Sequence, residues 1–122
     1  MNADTVAMVY SILRSHTATN PITDREIVKR TGIRIRQVSR AVETLIREYG
    51  VPIGASRNAP FGRYIIRTGA ELDRYCATLK AVIKATQERL YAVERNFYNE
   101  SGQLDLLDSL IYLKGASHEI HE

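Results

Sequence analysis

Residues 23–49 read TDREIVKRTGIRIRQVSRAVETLIREY, and the fold turns on this stretch. Thr23 and Glu26 stand at capping-box spacing, the threonine accepting from the helix start and the glutamate reaching back. Ile27 and Val28 give this helix an apolar side. Thr31-Gly32 stops it after barely two turns, because glycine enters the left-handed conformation freely. A longer helix follows over about Arg34 to Tyr49. At 100° per residue, Val42, Leu45 and Tyr49 fall within about 40° of Val38 and form its core stripe. Arg36, Arg40, Glu43 and Arg47 lie within about 40° of the opposite pole, with Gln37 and Thr44 on one flank. A short helix, a glycine turn and a helix with a basic outer pole thus follow one another.

Working outward, Val6, Val9, Ile12 and Leu13 recur at helical spacing and predict a first helix over about Ala3 to Ser15. His16 to Pro21 supplies a polar turn. Beyond Gly50, Val51-Pro52-Ile53-Gly54 and Arg63-Tyr64-Ile65-Ile66-Arg67 predict two short strands. The loop between them is rich in turn residues and carries Arg57 and Asn58 at its tip.

After Gly69 the pattern changes. Leu72, Cys76, Leu79, Ile83, Thr86, Leu90, Val93 and Phe97 are spaced alternately four and three apart, a heptad seam on one long helix over about Ala70 to Tyr98. Such a helix is roughly 43 Å long at 1.5 Å per residue, too long to bury its seam on a small domain. The seam serves either a dimerising coiled coil, the reading favoured here, or packing against the first helix of its own chain. Asn99 to Gly102 breaks the helix. Leu104, Leu107, Leu110 and Ile111 then predict a short amphipathic helix, whose face folds back on the long helix or fits a groove on another protein. Residues 115–122 read as a disordered tail. The expected organisation is therefore a domain over residues 1–69, a helical extension over 70–114, and the tail.

With 122 residues, 44% of them hydrophobic, the chain can bury one modest core and not two. Eleven basic residues face five acidic ones up to Gly69, and six face nine beyond it, so the positive field belongs to the first half. Ten of those eleven are arginine, whose planar guanidinium forks onto phosphate or guanine edges. A polyanion partner is the natural expectation. The apolar runs are too short for a membrane span, and Met1 to Leu13 lacks a leader pattern, so a cytoplasmic location is expected. The single cysteine, Cys76, falls short of a disulfide framework or cysteine metal site and reads as a small buried apolar residue. His118-Glu119-Ile120-His121-Glu122 lacks a third fixed ligand, so no metal and no cofactor are expected. No phosphate loop, metal-histidine pair or activated nucleophile is present as a motif, and no enzymatic activity is expected.

Thr23 through Gly32-Ile33, followed by Val38, Val42 and Leu45, resembles the winged helix-turn-helix DNA-binding domains of bacterial and phage regulators and replication accessories. The resemblance covers about half the chain. It implies three helices plus a β-hairpin wing, with a recognition helix starting near Arg34 and a wing over Val51 to Arg67. Family contacts would fall on Arg36, Gln37, Arg40 and the wing tip, Arg57 and Asn58. Arg34 stands where the family often places Ser or Thr as the recognition-helix cap. Physically, arginine reads guanine and glutamine reads adenine in the major groove, while Lys29, Arg30, Arg34, Arg47 and Arg63 suit phosphates. The function implied is sequence-specific binding of duplex DNA by a transcriptional regulator, which the heptad seam makes a dimer. The alternative is a replication or assembly adaptor that holds DNA and a protein partner such as a helicase.

Overall fold

A computed structural model describes the backbone of residues 2–99 and 102–120 and the side chains of residues 2–99 and 106–115. In chain order it contains α1 (Ala3–Leu13), α2 (Asp24–Thr31), α3 (Ile35–Arg47), β1 (Ile53–Ser56), β2 (Gly62–Ile65), α4 (Gly69–Tyr98) and α5 (Gly102–Ile120). The described chain is mainly helical with one two-stranded antiparallel sheet. It divides into two compact units, Met1–Leu79 and Lys80–Glu122, and the division falls inside α4 rather than at Gly69. No described helix is long and apolar enough to cross a membrane.

In the first unit α1 and α2 each start on a side-chain cap. Asn2 accepts from the Asp4 amide at 2.9 Å, and Thr23 Oγ1 accepts from the Glu26 amide at 3.2 Å. Only half of the expected capping box forms, because Glu26 turns instead to Arg30 one helical turn on, at 3.4 Å. Gly32 ends α2 at φ 75°, its amide bonded to the Val28 carbonyl at 2.7 Å. An L side chain disfavours that conformation, which explains glycine at the turn.

Val6, Val9 and Leu13 of α1 meet Ile27 of α2 and Val38, Ala41, Val42 and Leu45 of α3 in one core, joined by Ile22 and Ile53. Burying such side chains contributes about 1.5–3 kcal/mol each before conformational entropy is counted. The expected stripe holds for Val38, Val42 and Leu45. Tyr49 departs from it, at 61% exposed, because α3 stops at Arg47 and the helical angle no longer applies two residues later.

β1 and β2 pair antiparallel, Ile53 opposite Ile65 and Ser56 opposite Gly62. The strands lie nearer the hairpin tip than expected on the first side: Val51 and Pro52 precede β1. Ile22 adds a single bridge to Arg63, with backbone bonds of 2.9 and 2.7 Å, tying the turn after α1 to β2. The approach is so close that a Cβ on Gly62 would sit 2.6 Å from the Ile22 carbonyl carbon, and Gly62 itself has φ 137°.

α4 begins where Thr68 Oγ1 accepts from the Glu71 amide at 3.1 Å, while Glu71 reaches back to the Arg67 amide at 3.0 Å. None of its residues is buried. Cys76, expected as a buried residue, is half-buried. α5 runs to Ile120, six residues past the expected end at Lys114. Its only helix-weak residue there is Gly115, which costs about 1 kcal/mol and does not by itself stop a helix. Leu107, Leu110 and Ile111 are 53–69% exposed, so the expected fold-back of this face is not observed at these positions. The side chain of Leu104, the other member of the face, lies outside the described residues, as do those of His118 and His121.

Candidate nucleic-acid interface

α3 places its functional side chains by having a strongly two-sided sequence. Val38, Ala41, Val42 and Leu45 point into the core, which turns Arg36, Arg40, Glu43 and Arg47 outward, all exposed. Arg36, Ser39, Arg40, Glu43 and Thr44 line one shallow groove along the outer face. Among the described residues neither Arg36 nor Arg40 has a hydrogen-bond or ion-pair partner. Arg47 does: its Nε lies 3.2 Å from Glu43 Oε1, with both side chains mostly exposed. An exposed pair of this kind is weak, up to about 0.5 kcal/mol, yet it gives Arg47 a local partner and neutralises Glu43 on the cationic face.

Arg34 is the residue just before α3, in extended conformation at φ −66° and ψ 146°. A guanidinium has no acceptor, so it cannot cap as Ser or Thr would. Gln37 compensates by accepting from the Arg34 amide at 3.4 Å through Oε1. That leaves the Gln37 amide nitrogen as the outward donor, whereas pairing with adenine needs both amide atoms. Arg34 itself is exposed, without a partner among the described residues.

Arg63, expected to suit a phosphate, has an anion within the chain. Its Nε and Nη2 fork onto the two carboxylate oxygens of Asp24 at 2.7 and 3.1 Å, and both side chains are about three-quarters shielded. The hydrogen bond to Asp24 holds the Arg63 guanidinium above its ordinary pKa against the opposing effect of burial. Arg63 therefore fastens β2 to the start of α2. Arg67 is similarly occupied, donating to the carbonyls of His16 at 2.9 Å, Arg14 at 2.7 Å and Ile65 at 3.3 Å. Its positive charge closes the C-terminal end of α1, where helix carbonyls lack partners. His16, buried at 8% exposure, donates from Nδ1 to the Asn20 carbonyl at 2.9 Å.

Arg57 and Asn58 are exposed at the hairpin tip, where Ser56 Oγ donates to the Asn58 carbonyl at 2.7 Å. Both line a depression with Tyr64, Arg74, Tyr75 and Thr78, so α4's first turns add a second guanidinium beside the tip. Burial, and then the Glu71 carboxylate, push the Tyr64 phenol up. Sequence reasoning missed Arg74, whose proximity to Arg57 depends on where the hairpin returns. It also missed two exposed apolar residues beside the cations, Ile35 in the first turn of α3 (53% exposed) and Phe61 at the hairpin (59%). Their flanking arginine and proline were the available signal.

Chemically, the outer face of α3 offers two exposed guanidiniums without a partner among the described residues, and the hairpin tip carries a further exposed cation. No family model matches the chain, and no curated protein or solved structure matches it either.

Proposed function

We propose that residues 3–67 act as a winged helix-turn-helix that binds duplex DNA sequence-specifically, in the manner of a bacterial or phage transcriptional regulator. In this reading α2, Gly32 and α3 form the helix-turn-helix, and β1, β2 and their connecting loop form the wing. α3 enters the major groove, whose width admits a helix. The observation that carries the reading is the contrast among arginines. Arg63 and Arg67 are consumed by Asp24 and by carbonyls, while Arg36 and Arg40 stand exposed on the pole opposite the core, without partners among the described residues.

Arg36 and Arg40 read guanine edges, and Ile35 offers an apolar contact to a thymine methyl. Gln37 joins base reading by releasing its long bond to the Arg34 amide. Arg34 and Arg57 meet phosphates and set the domain's position along the duplex. Arg63 is removed from the contact set, and Arg47 contributes at most to the backbone because Glu43 shares its carboxylate with it.

Selection of bound fragments from a random duplex pool tests this reading. Recovery of an enriched motif is expected. If no duplex is retained at low salt, where phosphate contacts are strongest, the reading is overturned in favour of a protein-binding module.

A further inference from the structure

α4 carries an apolar face that the described residues leave uncovered. Leu79, Ile83, Leu90, Val93 and Phe97 are 42–81% exposed along it. In heptad terms Cys76, Ile83, Leu90 and Phe97 occupy a, and Leu72, Leu79, Thr86 and Val93 occupy d. Thr86 is the polar member, and its hydroxyl donates to the Val82 carbonyl of its own helix at 2.8 Å. Its hydrogen-bonding need is met locally, so it adds no unsatisfied donor to an apolar interface.

We propose that this face pairs with the same face of a second copy of the chain as a parallel, in-register, two-stranded coiled coil that sets Cys76 against the partner's Cys76. Charge decides the orientation. In a parallel pair each g position faces the e position of the partner's following heptad, which places Arg89 beside the partner's Glu94, twice by symmetry. Arg89 and Glu94 are both exposed, and neither has a partner among the described residues. An antiparallel pair with the same seam overlap instead sets e against e and g against g. Asp73 then faces the partner's Glu94, a like-charge contact, and Arg89 faces the partner's apolar Val82. The second copy is the occupant because one stripe of this spacing is self-complementary, each a or d side chain inserting between four of the facing helix.

Self-association on this seam requires no DNA, so its test stands apart from the function proposed above. The full chain, with Cys76 as its single thiol, is first sedimented in reductant. A mass twice the 13.8 kDa of the chain is expected, and a mass of 13.8 kDa at all concentrations overturns the proposal. Copper-phenanthroline then oxidises two facing thiols to one disulfide, and facing a positions lie close enough for that bond. A covalent dimer is expected from the wild-type chain. A dimer that sediments as such but yields no disulfide overturns the parallel register. Arg89→Glu, an exposed substitution, is expected to weaken the dimer about tenfold, and Arg89→Glu with Glu94→Arg to restore it. No rescue in the double variant contradicts the Arg89–Glu94 pairing.

Discussion

α3 and α4 are both amphipathic, yet they place their apolar faces in opposite circumstances. Val38, Ala41, Val42 and Leu45 of α3 are at most 3% exposed, and what α3 offers outward is positive charge. α4 buries no residue and offers an apolar seam. A helix whose apolar face is used inside the chain leaves its polar face available, and on α3 that face is cationic, as the polyanion partner proposed above requires. A helix whose apolar face is left open announces a partner for that face. The same rule separates the arginines: Arg63 and Arg67 have found their anions and carbonyls within the chain, and Arg36 and Arg40 have none among the described residues.

The comparison breaks most easily in the core. Leu45→Ala should lower the stability of the first unit by about 2–5 kcal/mol, read from hydrogen exchange of the α1 and α3 amides. Leu90→Ala on the open seam should change those same amides by less than about 0.5 kcal/mol. Comparable losses from both would mean that the α4 seam supports the core. Next in size is Asp24→Asn, expected to cost about 1.5–3 kcal/mol because it leaves the shielded Arg63 without its carboxylate. A neutral result would return Arg63 to the pool of available cations. Thr23→Ala should cost about 1 kcal/mol through loss of the α2 cap, measured by urea unfolding. Tyr49→Ala should be the smallest, within about 0.5 kcal/mol. A loss above 2 kcal/mol would restore Tyr49 to the core.

Those last sites also show how much the chain disclosed in advance. The α2 cap, the Gly32 turn and the Val38, Val42 and Leu45 stripe were legible because each is a local pattern of spacing or backbone permissiveness. The stripe misled at Tyr49, since periodicity says which residues share a face only while the helix lasts. The partners of Arg63 and Arg67 were not legible at all: Asp24 is 39 residues away, and the Arg14 and His16 carbonyls are more than 50. Likewise the Ile22–Arg63 bridge is one residue pair, too short to show any alternation. For the outer face of α3, sequence located Arg36 and Arg40. Only the fold could say which other cations were already engaged.

Duplex affinity of the full chain carrying Arg36→Ala and Arg40→Ala, compared with wild type on a selected site and on an unrelated duplex, tests the central claim most directly. Loss of about 1–3 kcal/mol per arginine is expected on the selected site, roughly 5- to 150-fold each, together with collapse of the preference over the unrelated duplex. Unchanged affinity and unchanged preference would contradict α3 as the DNA-reading element.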